Sequence, residues 1–241
     1  MAKVENNAKG KVAKIALRER ALAFVAEAGP VRVFDAFAGS GTMWREVWKR
    51  ADDYVGCDVR PIYDPQRALY VAECERVMRA IDLSAFNVFD LDAFGSPWLQ
   101  AYLLSVRRRL APGERVAILT TDGAKLSARF NNNLEPCFAH LAQQPGEVTG
   151  VHQLWPALTR AALTRVGELM GGALEWCEVR DGFGPSACQA YSGAGYVGRA
   201  GAGIVAQEPS EGAGEALAGV PVAETTETPV AALGADCAPQ E

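Results

Sequence analysis

Patterns typical of buried strands alternate with patterns typical of helices through the first half of the chain. Compact apolar, β-branched and aromatic runs occupy residues 31–39, 53–61, 87–94 and 114–123. Helical patterns fill residues 41–51, 64–80 and 96–113 between them. Parallel strands need a crossover connection, which is usually a helix, so this rhythm predicts an α/β fold with helices on both faces of a mostly parallel sheet.

The regions on either side of this alternation have different patterns. Residues 12–28 show apolar positions at helical spacing, and Gly29-Pro30 ends this amphipathic helix. In the second half a helix is predicted near 156–171. Residues 174–184 and 189–207 then predict two antiparallel strands joined by a Gly-rich loop, so we expect a hairpin to close the sheet.

The segment 208–241 differs in composition from the rest of the chain. It has seven acidic and no basic side chains and is rich in Gly, Ala, Pro and Thr. Such a segment cannot bury enough apolar surface to offset the entropy lost on ordering, so we expect a disordered acidic tail. The sequence thus divides into a basic amphipathic helix at 1–29, one folded domain at 30–207 and the tail at 208–241.

The overall composition narrows the class of protein. Of the 241 residues 49% are apolar and 22% charged, as in ordinary soluble globular domains. No apolar stretch is long enough to cross a membrane, and the first residues lack the apolar centre of a secretory signal, so we expect a cytoplasmic protein. The six cysteines form no CxxC pair and there are only two histidines, so neither a disulfide framework nor a metal site is predicted.

The net charge of −5 comes from the acidic tail. Without its seven acids the rest of the chain carries +2, and residues 1–20 alone hold six basic against two acidic side chains. A basic leading edge is compatible with nucleic acid as a partner.

A glycine-rich turn, DAFAGSGT at residues 35–42, directly follows the first strand and precedes the first crossover helix. Glycines there let the backbone turn tightly and approach a ligand, and free N–H groups at the helix start add polar contacts. Asp58 closes the next strand, where nucleotide-binding α/β folds place an acid that accepts hydrogen bonds from ribose hydroxyls. The pattern resembles motif I and the following acidic position of class I S-adenosylmethionine-dependent methyltransferases, and it lacks the third glycine of the NAD-binding GxGxxG motif.

This resemblance implies a Rossmann-like fold and S-adenosylmethionine as the cofactor. It implies that Asp35 orders the amino-acid end of the cofactor and that Asp58 holds its ribose. The residues implied to line the amino-acid end are Phe37, Gly39 and Gly41. Asp82, in the segment AIDLSAF, lies where such enzymes often contact the adenine, and a helix cap or loop acid is the alternative interpretation of this residue.

A second segment, DLDAFGSP at residues 90–97, stands at the carboxyl end of a predicted strand, the edge where ligands bind in open parallel sheets. It resembles the DLDPFGSP segment of the tRNA guanine-N2 dimethyltransferase family, and ERVAILTTDGAKL at 114–126 resembles that family's following strand and Thr-Asp turn. With the glycine-rich turn, the resemblance covers about residues 30–130. Ala93 stands where the family has proline, and the chain has no room for that family's carboxyl-terminal domain, so tRNA recognition is not carried over.

The resemblance implies Asp92 as the carboxylate that contacts the acceptor amine, close to the cofactor, with Phe94 as the ring that stacks on the base and Asp122 as a nearby site residue. An amine that attacks a sulfonium methyl becomes positively charged, so a carboxylate suits it as a hydrogen-bond acceptor. Lys125 and Arg129 follow the Thr-Asp turn on the same edge and are candidates for substrate contacts. Asp90 is expected to point to the opposite side of the strand from any ligand and to pair only with a neighbouring helix.

The sequence therefore predicts a methyltransferase that acts on an exocyclic amine of a nucleobase in RNA or DNA. Two alternatives stay open. One is an enzyme of the same fold that methylates a small molecule or a protein. The other is a binding module that keeps the cofactor pocket without turnover, an alternative that Ala93 favours.

Overall fold

A computed structural model of the protein describes residues 8–146, 148–181 and 189–200. Seven strands lie within these residues: β1 (Arg32–Asp35), β2 (Asp53–Asp58), β3 (Ala68–Val71), β4 (Val88–Asp92), β5 (Arg115–Asp122), β6 (Gly172–Asp181) and β7 (Ala190–Gly198). The described helices are α1 (Ala8–Ala26), α2 (Thr42–Glu46), α3 (Cys74–Ala80), α4 (Trp98–Arg107), α5 (Lys125–Asn131), α6 (Pro136–Ala142) and α7 (Val151–Leu169). In the described part of the chain, no helix is both long enough and apolar enough to cross a membrane.

The strands form one sheet in the order β3-β2-β1-β4-β5-β7-β6. The first five strands pair in parallel, while β7 lies between β5 and β6 and runs antiparallel to both. This is a Rossmann-like arrangement, so the predicted mostly parallel sheet with its antiparallel hairpin is confirmed. The Gly-rich loop of the hairpin and the acidic tail at 208–241 lie outside the described residues.

Apolar side chains fill both faces of the sheet, because neighbouring residues of a buried strand point to opposite sides. On one face Phe34 and Phe89 are buried with aromatic residues of α4, α6 and α7. There the ring of Phe138 lies 4.4 Å from that of Trp98 and 4.8 Å from that of Trp155, measured between centroids. On the opposite face a second cluster is covered by α1.

Helix α1 packs across the sheet, and its buried apolar positions recur every four residues. These positions are Ala13, Leu17, Ala21 and Val25. They share a cluster with Val88 of β4 and Leu119 of β5, so α1 covers the strands next to the centre of the sheet. This placement brings the basic side chains of Lys14 and Arg18 to the carboxyl end of β4.

The prediction of one helix over 64–80 is wrong. The structure has strand β3 at Ala68–Val71, and α3 begins only at Cys74. β3 pairs in parallel with β2, with Val71 opposite Asp58. The run Ala-Leu-Tyr-Val suits an edge strand, and hydrogen bonds to β2 outweigh the helical spacing of the surrounding charged residues.

The two candidates for substrate contacts after β5, Lys125 and Arg129, belong to a short helix. This helix is α5, which ends at Asn131, before Asn132 in the left-handed conformation (φ 53°). Ala128 of this helix is buried in the core. Packing against the core therefore stabilises this short helix, although most of its residues are polar and do not show a helical pattern in the sequence.

Candidate functional site

A cleft of about 480 Å³ opens at the carboxyl ends of the parallel strands, beside the point where the strand order reverses between β1 and β4. Open α/β sheets bind ligands at this position. The wall contains residues 36, 37 and 39 after β1, 58–60 at the end of β2, 72–75 after β3 and 92–94 at the end of β4. Lys14, Thr121 and Gln189 complete the wall.

A smaller cavity of about 140 Å³ adjoins the cleft below the glycine-rich turn. Asp35 and Asp90 line only this smaller cavity. Both cavities are lined by the same four residues, Lys14, Phe37, Gly39 and Asp92. The two cavities therefore adjoin, and we treat them as one site with a wide and a narrow part.

The glycine-rich turn depends on backbone conformations that favour glycine. Gly39 has φ +47° and Gly41 has φ +79°. A Cβ atom on Gly41 would lie 2.7 Å from Cζ of Arg67, closer than any ordinary contact. The turn can therefore lie against this guanidinium only because residue 41 has no side chain.

Arg67 supports the turn and was not predicted from the sequence. Its side chain is 1% exposed, and its Nε donates a hydrogen bond of 2.7 Å to Asp64. The guanidinium lies 3.4 Å from the carbonyl oxygens of Ala38 and Gly39. The side chain thus neutralises Asp64 and positions the inner side of the turn.

Asp35, the last residue of β1, is buried beneath the turn. Its carboxylate accepts hydrogen bonds from the backbone N–H of Phe37 at 3.2 Å and from the hydroxyl of Tyr54 at 2.9 Å. Burial and the negative charge of Asp90 raise the pKa of Asp35, and the Tyr54 hydrogen bond offsets only part of this rise. Asp35, at the base of the narrow cavity, is therefore easily protonated.

Asp58 ends β2 at the wall of the wide cleft. One carboxylate oxygen accepts a hydrogen bond of 3.0 Å from the N–H of Gly39, and the other accepts from the backbone and side chain of Arg60 at 2.9 and 3.2 Å. Burial raises the pKa of Asp58, but the hydrogen bonds from Arg60 and Gly39 outweigh burial and lower it overall. An ionised acid at this point can accept further hydrogen bonds from hydroxyl groups.

Two cations of α1 meet two carboxylates at the end of β4. The guanidinium of Arg18 donates two hydrogen bonds to Asp90, at 2.7 and 2.6 Å, and a third of 3.1 Å to Asp92. Lys14 Nζ lies 2.6 and 2.9 Å from the two oxygens of Asp92, while the Trp48 indole donates to Asp90 at 2.8 Å. The expected pairing of Asp90 with a neighbouring helix is confirmed. The expectation that Asp90 points away from the ligand side is wrong, because Asp90 lies two residues from Asp92 on β4 and lines the narrow cavity with it. Burial raises the pKa of Asp92, but the charges of Arg18 and Lys14 lower it overall.

The turn after β4 exposes an aromatic ring at the mouth of the cleft. Ala93 is buried, whereas Phe94 is 86% exposed. The carbonyl oxygen of Gly95 accepts a hydrogen bond of 2.8 Å from Gly123, and a Cβ on Gly123 would lie 2.7 Å from the carbonyl oxygen of Phe94. The turns after β4 and β5 are therefore packed backbone against backbone, which fixes where Phe94 lies.

Asp122 ends β5 but does not line the cleft. Its carboxylate accepts hydrogen bonds from the indole of Trp98 at 2.7 Å and from the N–H of Ala124 at 2.9 Å. Burial raises the pKa of Asp122 to about 6. These contacts connect α4 and α5 to the end of β5, so Asp122 positions the turns around the site.

Besides Asp122, two predicted site residues with described side chains, Asp82 and Lys125, are not on the cleft wall. Asp82 lies before β4, at the opposite edge of the sheet, where it accepts hydrogen bonds from Ser84 and caps a short 3₁₀ helix. Lys125 is buried at the start of α5 and is not on the wall. Arg129 belongs to α5, and its side chain lies outside the described residues.

Several wall residues were missed, and their positions explain why. Glu73 and Cys74 follow β3, so they could be found only if that strand was recognised. Lys14 lies on a helix that precedes the sheet in sequence, and its contact with Asp92 spans 78 positions. The only sequence signal was a pair of basic residues, Lys14 and Arg18, one helical turn apart on an otherwise apolar face.

Comparisons with known proteins find structural likeness only. No family model matches the chain, and no curated protein matches it. Solved structures that match include Trm1 from Pyrococcus horikoshii with S-adenosyl-L-methionine, with 15% sequence identity, a TM-score of 0.48 and coverage of 78% of this chain and 54% of that chain. This chain therefore spans about half the length of that structure.

Two further solved structures are similar to the chain. TYW2 from M. jannaschii in complex with AdoMet has 13% identity, a TM-score of 0.44 and coverage of 77% of this chain and 76% of that one. The plantazolicin methyltransferase BpumL in complex with SAH has 12% identity, a TM-score of 0.41 and coverage of 78% and 82%. Since all three TM-scores are below 0.5, the fold assignment rests on the strand order of this chain itself.

Proposed function

We propose that this chain is an S-adenosylmethionine-dependent methyltransferase that methylates an exocyclic amine of a nucleobase in RNA or DNA. The observation that carries the proposal is the two-part site at the reversal of strand order. There Asp58, Asp35 and Asp92 stand at the ends of the adjacent strands β2, β1 and β4. Ligands of open α/β sheets bind at such a point, and acids there accept hydrogen bonds from ribose hydroxyls.

The residues present suit this cofactor. Asp58 would hold the ribose, the wall at Glu73 and Cys74 would flank the adenine, and the narrow cavity beside Asp35 would take the amino-acid end. Acidic side chains outnumber basic ones on the described wall of the wide cleft, which favours a cationic sulfonium. When bound, the cofactor supplies a methyl group that its sulfonium already activates, so the protein mainly positions the two partners.

Asp92 and Phe94 are the residues that we assign to the acceptor. In the transfer the lone pair of the amine would form the new nitrogen–carbon bond while the sulfur–carbon bond breaks to leave a neutral thioether, and the proton that the amine then loses would pass to solvent. Asp92 is ionised at the end of β4 and can accept hydrogen bonds from the amine as positive charge develops on its nitrogen. The exposed ring of Phe94 can stack on a flat base at the cleft mouth.

One contact favours a second candidate function. Asp92 already holds an alkylammonium group, that of Lys14, at 2.6 and 2.9 Å. The same carboxylate can therefore accept the amino group of a protein side chain or of a small molecule. A methyltransferase that acts on such an amine is the second candidate.

The test is transfer of a labelled methyl group from S-adenosylmethionine to separate pools of tRNA, ribosomal RNA, duplex DNA, single-stranded DNA and lysine-containing peptides. Asp92→Asn removes the charge that faces the amine and should abolish transfer. Asp82→Asn is the matched control, because Asp82 is an exposed acid at the opposite edge of the sheet. Circular dichroism during heating checks that both variants fold.

We expect label to enter one nucleic-acid pool. Asp92→Asn should abolish this labelling, and Asp82→Asn should retain it. Binding to that pool should weaken steeply with salt, since contacts to phosphates release counterions. Label in the peptides alone would replace the nucleobase with the second candidate. Cofactor binding without label in any pool would contradict both and support a binding module.

A further inference from the structure

Lys14 stands at the junction of the two parts of the site. It lines both the cleft of about 480 Å³ and the cavity of about 140 Å³, and its side chain is only 11% exposed. Among the described residues that line both parts, it is the one with a positive charge. Its ammonium can therefore reach an anionic group in the narrow part of the site.

The fold fixes the helix from which Lys14 projects. One turn further along α1, Arg18 is held by its two hydrogen bonds to Asp90, which also accepts from the Trp48 indole. Arg18 is 3% exposed, and breaking such a buried pair is costly, so this contact cannot exchange readily. Lys14 thus projects from a rigid support, and the several rotatable bonds of a lysine side chain allow its ammonium to change partner.

Asp92 carries one negative charge but contacts two cations. Both Lys14 and Arg18 contact it, and the contact with Arg18 at 3.1 Å remains if Lys14 moves. Moving the Lys14 ammonium to another anion would therefore leave Asp92 neutralised on one side. The oxygen that faces Lys14 at 2.6 Å would become free to accept a hydrogen bond.

The narrow cavity selects the kind of anion. The carboxyl groups of Asp35 and Asp90 line it, and their oxygens can accept hydrogen bonds from an ammonium group, which a phosphate lacks. A zwitterionic amino acid fits this lining, because its ammonium group can lie near these oxygens while its carboxylate faces Lys14. The volume of about 140 Å³ suits a group of this size.

We infer that Lys14 binds the carboxylate of the amino-acid end of the cofactor and, by leaving Asp92, opens that residue to the acceptor amine. The inference rests on the function proposed above. It makes α1, which lies outside the glycine-rich turn and the parallel strands, a direct part of the cofactor site.

The test is calorimetric binding of two ligands that differ at the amino-acid end. S-adenosylhomocysteine carries the carboxylate, whereas 5′-methylthioadenosine shares the adenosine and thioether but lacks the amino acid. Lys14→Met should weaken binding of S-adenosylhomocysteine roughly tenfold or more, the usual effect of losing a charge-assisted hydrogen bond, and should leave 5′-methylthioadenosine within about twofold. Lys14→Arg should restore most of the loss.

Lys11→Met is the matched control. Lys11 lies on the same helix and is paired with Glu46 at 2.6 Å, but its side chain is 39% exposed and does not line the site, so neither ligand should bind differently. Equal weakening of both ligands by Lys14→Met would assign Lys14 a structural role and overturn the inference, as would no weakening of either. If the unaltered protein binds neither ligand, the proposed function fails first and the inference fails with it.

Discussion

At the scale of single residues, two separate constraints favour glycine at position 41 of the glycine-rich turn: the backbone conformation and the space for a side chain. Gly41 has φ +79°, and a Cβ there would also lie 2.7 Å from Cζ of Arg67. Gly113 has the similar φ of +76°, but no atom lies within 4 Å of its Cβ position. The two glycines therefore share the conformational constraint, and only Gly41 adds a steric one.

We expect Gly41→Ala to lower the free energy of unfolding more than Gly113→Ala does. The left-handed conformation alone should cost about 1–2 kcal/mol at either position. At Gly41 the displacement of the buried Arg67 from Asp64 should add about 1–3 kcal/mol, and cofactor binding should be lost with it. Urea denaturation of both variants measures the difference, and equal losses would show that Arg67 moves aside freely.

At the scale of secondary-structure elements, α1 is held to β4 by a buried ion pair as well as by its apolar face. Arg18→Met leaves the carboxylate of Asp90 buried with only the indole of Trp48 as a partner. Removing one member of such a pair costs about 3–5 kcal/mol. We expect urea denaturation to show a loss of this size for Arg18→Met and less than about 1 kcal/mol for Lys11→Met, whose pair with Glu46 is exposed. A small loss for both would mean that Asp90 is neutral in the folded protein.

The elements also show what the sequence could and could not predict. The strands β1, β2, β4 and β5 were predicted because each is a compact apolar run. The carboxyl ends of three of these strands bring Asp35, Asp58 and Asp92 to one site. β3 was missed because four residues at a sheet edge are stabilised by pairing with β2, which local spacing does not contain. Because β3 was missed, Glu73 was not predicted as a wall residue. The predicted adenine contact was Asp82, which lies one connection later in the chain and caps a 3₁₀ helix.

Other contacts were beyond reach for a related reason. Lys14 and Arg18 meet Asp92 and Asp90 across more than seventy positions, and Arg67 meets the glycine-rich turn across nearly thirty. Helical spacing showed which face of α1 is apolar, but the strand that this face covers depends on the whole topology. The sequence motifs predicted where the site lies, whereas the cations that surround it could be identified only from the three-dimensional structure.

At the scale of the whole molecule, α1 supplies four of the buried residues of the second core cluster, Ala13, Leu17, Ala21 and Val25. Val88, Leu119 and Trp176 belong to the sheet and hairpin, and they are buried together with the apolar face of α1. The division of the sequence at residue 29 separates this helix from the domain at 30–207. We propose that the two segments nevertheless fold as one cooperative unit.

A chain that begins at residue 30 should therefore lose its cooperative unfolding transition. Removal of α1 uncovers the apolar surface of the sheet and takes both cations from Asp90 and Asp92, so exposed apolar area and unpaired buried charge act in the same direction. The matched control is a chain that ends at residue 207, because the segment 208–241 is expected from its composition to remain unfolded. Urea denaturation followed by tryptophan fluorescence should show one sharp transition for the full chain and for residues 1–207, and a broad, non-cooperative change for residues 30–241. A sharp transition at unchanged urea concentration for residues 30–241 would show that the sheet and its other helices form a complete core without α1, and that the helix binds to a domain already folded.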